Sequence, residues 1–396
     1  MNILFVSGEF PPMQGGVGDY TREIALALRA LGCQVSVVTS TRARPVAGLT
    51  VHPVIETWNW RSWKAVLDVV RLQQPDVVHI QYQAAAYALH PAINFLPRRL
   101  RRLGAGRPAS AVTFHDLKVP YLFPKAGRLR RWVVHELARR SDAAICTNKQ
   151  DFEDLRAQLD SPPTLIPIGS NIDPKLPEGY ERQAWRAQWG VGPDDLLLSF
   201  FGFINDRKGV DVLLHVLSRL PLETPEMGKP SLLFIGGQTG ASDPTNITYL
   251  GRIQALIEEL GLVERVHWTG YVSAEEVTAA FAAGDLCVLP YRDGVSFLHG
   301  TFHAALAHGV PILTTEPRVA LPELAHGENV FLVPPQDAEA LAGAIQRLAI
   351  DPALCRLLGR GALALAGEFR WDRIAEQTMD VYRRIAAESG ARAGGP

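Results

Sequence analysis

The sequence predicts an α/β protein of two doubly wound domains, each a parallel sheet covered on both faces by helices. Three observations carry this. Short apolar strands alternate with segments of helical period along the chain. The alternation starts twice, at 3–6 and at 196–200, each time as strand, glycine-bearing loop and helix. The length, 396 residues, exceeds one ordinary hydrophobic core.

The first series opens with a strand over 3–6, a Gly-rich loop and a helix over 20–30. Strands over 34–38, 77–80, 111–114, 143–147 and 164–166 follow. Pro174, Pro177, Gly179 and Gly190 then punctuate a charged stretch that fits a hinge. The second series has strands over 196–200, 231–235, 266–269, 286–289 and 311–314, with helices over 211–220, 253–260 and 274–282. Helices over 338–350 and 371–387 close the chain. The expected division is a first domain over 1–172, a hinge over 173–192 and a second domain over 193–368. The helix within 369–396 is free to return to the first domain. In such a protein, ligands bind beyond the strand C-termini, where the two halves face each other.

Composition excludes some classes. A net charge of −1 gives no overall attraction to nucleic acid or membrane. Cys33, Cys146, Cys287 and Cys355 are scattered in apolar surroundings, as expected of reduced core thiols. The N-terminus enters a strand at once, without a secretory signal. The apolar run 84–96 is broken by His90, Pro91 and Asn94 and is too short to span a bilayer. A cytoplasmic protein is the expectation.

Four segments carry chemistry. After the first strand, Gly15 and Gly16 precede a helix, allowing close approach of a ligand to the backbone near a helix N-terminus. The loop is not G-x-G-x-x-G, and a plain tight turn is the alternative. Arg207 and Lys208 sit ahead of the first helix of the second series, two cations suited to a diphosphate leaving group. His115 leaves an apolar strand with Asp116; it reads equally as a substrate contact or a structural histidine, and Asp116 as a helix cap. Finally, 293–315 reads as loop, helix of small residues and strand, suited to a phosphate, yet holds no carboxylate between Asp293 and Glu316.

These segments occur in the order and spacing of a known family. The motifs are PPxxGGVGxY over 11–20, TFHD over 113–116, FGxIxxxKGxDxLL over 201–214 and VxxxGYV over 266–272. LAHGVPILTT over 306–315 and NVFLVPPQDAEALAGAI over 329–345 complete the set. The chain resembles the retaining nucleotide-sugar glycosyltransferases of the group-1, family-4 type. The resemblance implies a GT-B fold, two Rossmann-like domains facing each other across a cleft, with the donor on the C-terminal side and the acceptor on the N-terminal side. It implies that Gly15 and Gly16 meet the donor diphosphate or the acceptor, that His115 supports the transferred sugar, and that Lys208, with Arg207, binds the diphosphate. It further implies that the backbone around Tyr271 and Val272 meets the nucleobase, and that Gly300 and Thr301 offer N–H groups to the phosphates. No metal and no cofactor are implied, and the chain has no D-x-D triplet.

Two departures stand out. Phe203 occupies a place where many members carry arginine, with Arg207 as the nearby substitute cation. The family's two glutamates eight apart fall on Ser296 and Ala304, so Ser296, His299 and His303 are the candidates left for sugar or ribose. His308 reads as a helix-surface residue.

A basic region spans 98–140, where twelve Lys and Arg face only Asp116 and Glu136. Leu96, Leu100 and Leu103 share one face of its first helix, which suits either peripheral contact with anionic lipid or an ordinary core stripe beneath a solvated basic face. The expected activity is metal-independent transfer of a sugar, with retention, from a UDP- or GDP-sugar to a glycan, glycolipid, lipid-linked or metabolite acceptor. The setting is cytoplasmic, including the inner membrane face, without nucleic acid. The alternatives are a degenerate nucleotide-sugar-binding subunit and, less favoured for want of carboxylates, a nucleotide-sugar epimerase.

Overall fold

The computed structural model describes residues 1–104, 106–117, 127–222, 224–225, 227–237 and 244–393. They form two compact units, one of Met1–Gly169 with Arg370–Pro396 and one of Ser170–Phe369.

The first unit runs β1 (Asn2–Ser7), α1 (Gly16–Ala30), β2 (Gln34–Ser40), β3 (Thr50–Ile55), α2 (Ser62–Gln73) and β4 (Val77–Tyr82). It continues α3 (Leu96–Arg101), β5 (Ala109–Phe114), α4 (Gly127–Arg140), β6 (Ala143–Cys146), α5 (Lys149–Arg156) and β7 (Thr164–Leu165). The sheet is parallel in the order β3-β2-β1-β4-β5-β6-β7. Every residue of β4 and β5 is buried, His79, Gln81, Ser110 and Thr113 included, because helices cover both faces of these central strands. β3 is absent from the sequence expectation for a physical reason. It is an edge strand, half-exposed and carrying Pro53, and both features argue against strand in a sequence.

The second unit runs α6 (Arg182–Ala187), β8 (Leu197–Phe201), α7 (Val210–Arg219), β9 (Ser231–Ile235), α8 (Pro244–Glu259) and β10 (Val266–Trp268). Then come α9 (Ala274–Ala283), β11 (Leu286–Leu289), α10 (Gly300–Ala307), β12 (Ile312–Thr315), β13 (Phe331–Val333), α11 (Ala338–Ala349) and α12 (Pro352–Ala366). Its sheet is parallel too, in the order β10-β9-β8-β11-β12-β13. α12 went unread although Asp351 caps it and Pro352 opens it, both ordinary start signals.

The stretch 173–192 is built into this second unit. Arg186 of α6 is fully buried and donates to the carbonyls of Gly192, Ala283 and Asp195 and to the Asp285 carboxylate. Asp285 also takes Arg182 and the Leu197 N–H. The last helix, α13 (Trp371–Ala393), belongs to the first unit, burying Ile374, Ala375, Tyr382 and Ile385. The Tyr382 hydroxyl meets His79 Nδ1 at 2.5 Å, and Trp371 lies edge-on to Tyr20. Among the described residues, no helix is long and apolar enough to cross a membrane.

In each sheet the order reverses beside its first strand, between β1 and β4 and between β8 and β11. Loops at such switch points diverge to opposite faces and leave a crevice, the usual ligand position in open α/β sheets. The Gly15-Gly16 loop follows β1; the Lys208 loop follows β8, and the 290–299 segment follows β11.

Candidate active site

The second unit gathers most of the expected residues. After β8 the chain turns at Gly202, whose φ is +100°, and passes through a 3₁₀ turn (Asp206–Lys208) to Gly209, φ +64°, the N-cap of α7. Neither glycine is replaceable on steric grounds. A Cβ on Gly209 would lie 2.2 Å from the Pro290 carbonyl oxygen, and one on Gly202 would lie 2.4 Å from Thr301 Cγ2 and 2.7 Å from Lys208 Nζ. Lys208 and Thr301 therefore meet over Gly202.

The Lys208 amine has no hydrogen-bond or ion-pair partner among the described residues. It lies over the face of Phe200, 5.6 Å from the ring centroid. Burial pushes its pKa down to about 8. Its loop is held from outside: Arg292 donates its N–H to the Arg207 carbonyl at 2.8 Å, its Nε to the Asp206 carbonyl at 2.8 Å, and its Nη2 to Asp211 at 2.5 Å. The Tyr249 hydroxyl donates to the other Asp211 oxygen. Arg207 itself is exposed.

α10 supplies the helix N-terminus. The N–H groups of Gly300 and Thr301 find no acceptor among the described residues, and a Cβ on Gly300 would meet nothing within 4 Å. The preceding turn is anchored to the sheet, with the Thr315 hydroxyl donating to the Tyr291 carbonyl and the Tyr291 and Thr301 hydroxyls 2.7 Å apart. His299 stacks on Tyr291 with centroids 3.8 Å apart. Its Nδ1 accepts the Ser296 N–H, which leaves Nε2 carrying the proton. Burial, with the Lys208 charge second, holds His299 down to about 3. His299 therefore stands beside the lysine as a neutral donor.

One sugar candidate is corrected by the structure. His303 points inward: its Nε2 donates to the Phe297 carbonyl at 2.9 Å, and its ring packs against Phe369. It is a core histidine, held down to about 4 by burial, not a ribose contact. The Ser296 hydroxyl oxygen accepts the Leu298 N–H at 3.2 Å, which leaves its O–H able to donate. Ala304 is fully buried, so its place in α10 is a packing position. His308 is also corrected. It is half-buried, bonded to the Ala304 carbonyl and the Thr278 hydroxyl, rather than a free surface residue.

Tyr271, 73% exposed, and Val272 follow Gly270 (φ +69°) after β10. A Cβ on Gly237 would lie 3.1 Å from the Phe203 ring and 3.7 Å from the Tyr271 ring. The aromatic residue in the arginine position thus borders Tyr271 at the strand C-termini.

In the first unit, His115 follows β5 and donates Nε2–H to the Gln81 side-chain oxygen at 2.9 Å, leaving Nδ1 with its lone pair. Tyr20 lies edge-on to it at 4.7 Å. Burial pushes His115 down to about 3, so the ring is neutral at physiological pH. Gly15 and Gly16 stand at the start of α1, but a carboxylate is already there: Glu9 Oε1 accepts the Val17 and Gly18 N–H groups at 3.1 and 3.3 Å. Sequence reasoning passed over Glu9, Gln81, Tyr291 and Arg292. Glu9 alone had a signal, an acid in the loop before a helix whose N-cap glycine cannot cap itself.

The basic region is less free than its count implies. Leu96 and Leu100 are core residues, so the apolar stripe of α3 is not an interfacial face. Glu136 pairs with Arg98 and Arg140, and Asp142 with Arg107 and Arg101. Lys118, Lys125 and the side chains of Arg128 and Arg130 lie outside the described residues. A different feature emerges: Trp60 and Trp132, 47% and 40% exposed, both contact Phe95, with Arg98 over Phe95 and Arg99 over Trp63.

Comparison with known proteins decides the family. The profile described as "Glycosyl transferase 4-like domain" matches residues 15–169, and "Glycosyl transferases group 1" matches residues 195–351. The chain belongs to the group-1 glycosyltransferases. This glycosyltransferase chain is 27% identical over 252 residues to the D-inositol 3-phosphate glycosyltransferase of Streptomyces bingchenggensis, covering 62% of itself and 54% of that protein. It thus spans about half of that relative. To the protein of the same name from Jonesia denitrificans it is 24% identical over 411 residues, covering 96% and 93%. Among solved structures, sucrose-phosphate synthase from Thermosynechococcus elongatus superposes with a TM-score of 0.75 at 25% identity, covering 98% of this chain and 100% of that one. Anabaena HepE in complex with UDP-glucose gives 0.71 at 19% identity, covering 97% and 100%. The fold is that of the GT-B glycosyltransferases.

Proposed function

We propose that this chain transfers a sugar, with retention of configuration, from a nucleotide-sugar donor to a hydroxyl-bearing acceptor. A UDP- or GDP-sugar is the donor class; a glycan, glycolipid, lipid-linked sugar or metabolite is the acceptor class. The observation that carries the reading is the meeting of the unpartnered Lys208 amine with Thr301 and the open N-terminus of α10 above Gly202. A cation and two unspent helix N–H groups suit a diphosphate as it takes on charge in leaving. They supply that stabilisation without a metal, so activity is expected to survive chelators. HepE holds UDP-glucose, a donor of this class.

The roles divide accordingly. Lys208 and Arg207, with Gly300 and Thr301, receive the diphosphate. Phe203 and Tyr271, with the Val272 backbone, border the base. His299 offers Nε2–H toward phosphate or sugar, and His115 is the first unit's neutral contact for the transferred sugar. Thermal shift against UDP, GDP, ADP and TDP sugars tests the donor assignment: one class should stabilise the protein, and Lys208→Ala should abolish the response. No response to any of them overturns the reading.

A second reading, a nucleotide-sugar-binding subunit without turnover, draws on the absence of a carboxylate from 294–315 and on Ala304 being a buried packing position. Donor binding without transfer or donor hydrolysis would select it. The Trp60–Phe95–Trp132 ridge with its arginines is proposed as a face for peripheral contact with anionic membrane.

A further inference from the structure

In the first unit the anion position of α1 is taken by the chain itself. Glu9 Oε1 accepts both the Val17 and Gly18 N–H groups, the pair a bound phosphate would use. Gly15, the N-cap, has φ −179°, an extended conformation open to any residue, so its backbone does not call for glycine. Room does. A Cβ on Gly15 would lie 2.1 Å from Glu9 Oε1 and 2.5 Å from Oε2. Gly16 meets nothing within 4 Å. The first glycine of this turn therefore accommodates an internal carboxylate.

Burial raises the Glu9 carboxyl above its ordinary value, and the Gly18 and Val17 N–H bonds act the other way to favour the carboxylate. Glu9 makes no ion pair among the described residues; Arg42 is the cation that acts on it, and Asp19, in the first turn of α1, adds a second negative charge. The loop is fixed behind it, where the Ser7 hydroxyl donates to the Glu9 carbonyl at 2.6 Å and the Thr21 hydroxyl donates to the Val17 carbonyl. Trp58 Nε1 closes the other side on the Gly8 carbonyl.

We propose that Glu9 sets the charge selectivity of this turn: it fills the place of a phosphate at α1, so the first unit admits an uncharged, hydroxyl-bearing part of the acceptor and turns away a phosphorylated one. The word acceptor rests on the transferase reading; the exclusion of phosphate does not.

The test has two arms. In the full chain labelled with ¹⁵N-valine, the Val17 amide should not move on titration with inorganic phosphate, whereas in Glu9→Ala it should shift saturably. Glu9→Gln, which keeps the bulk and removes the charge, serves if the alanine variant does not fold, and should gain a weaker response. A saturable shift of Val17 in the wild type, or no gain in a folded variant, overturns the proposal. In the second arm, glycerol, glucose and myo-inositol are compared with their monophosphates as acceptors for the stabilising nucleotide-sugar. The wild type should prefer the neutral set, and Glu9→Gln should narrow that preference by about tenfold. A wild-type preference for the phosphates overturns it. Failure of the transferase reading would show instead as loss of turnover with every acceptor while the Val17 result stands.

Discussion

Lys208 and Thr301 close on the same side of Gly202, their Nζ and Cγ2 atoms 2.7 and 2.4 Å from where a Cβ would stand. The contact joins the loop after β8 to the start of α10, so the cation and the helix N-terminus face a common space. Lys208 carries a cost there, since burial holds it down to about 8 in the fold against about 10.4 unfolded. Between those values the unfolded chain binds the extra proton, so stability should rise as pH climbs from 8 toward 10. Lys208→Met should raise Tm by about 2–4 °C at pH 7 while abolishing stabilisation by nucleotide. Differential scanning calorimetry with and without UDP checks both.

Two glycines in this site should behave oppositely. Gly300→Ala places its Cβ in open space at a helix start, so Tm should hold or rise slightly while donor affinity falls by about tenfold or more. Gly202→Ala meets Thr301 at a φ of +100°, and should lower Tm by several degrees before any ligand is added. Equal behaviour of the two would mean that α10 does not face a ligand.

The Gln81–His115 bond makes a prediction about pH. With His115 held near 3, turnover should show no inflection from this ring between about pH 5 and 8. Gln81→Glu puts a carboxylate against Nε2–H, favours the imidazolium and should bring an inflection into that range. The imidazole ¹H–¹⁵N signals report the same titration independently of activity.

Acid should destabilise the protein early. His79, His115 and His299 are held down to about 3 and His303 to about 4, all by burial. Folded values below the unfolded 6.5 mean that the unfolded chain gains protons first, so stability present above 6.5 is lost as pH falls toward 4. Each histidine contributes up to about 1.4 kcal/mol per pH unit. Tm should therefore drop steeply between pH 6.5 and 5, and His303→Gln should flatten that slope.

For the aromatic ridge, sedimentation with vesicles containing phosphatidylserine should retain the wild type at low salt and release it at about 0.5 M salt. Trp60→Ser with Trp132→Ser should weaken retention while leaving Tm nearly unchanged, because both rings are about half-exposed. Retention by neutral vesicles alone, or by neither kind, would remove the membrane assignment.

Much of the fold was legible. Strands such as β9 and β11, buried along their whole length, are nearly continuous apolar runs, and such runs between helical segments leave little choice but a parallel sheet. Of the elements that went unread, β3 holds Pro53 and β13 is three residues long, both weak local signals, whereas α12 carried ordinary start signals in Asp351 and Pro352. The site was legible as motifs and not as contacts. Lys208 and Thr301 are far apart in sequence, and no local pattern reveals that they flank one glycine. His299 and His303, four apart on one short segment, were indistinguishable candidates until packing turned His303 onto the Phe297 carbonyl.

By itself the amino-acid sequence determined the alternation of strands and helices, the two glycine-bearing loops and the family they resemble, because periodicity and backbone freedom are local properties. Only the tertiary structure decided which groups are spent and which are available. Glu9 fills the N-terminus of α1, while the N-terminus of α10 stays open beside Lys208. The physical reason is that hydrogen-bond satisfaction and burial depend on neighbours brought together by the sheet, and a motif carries no record of them.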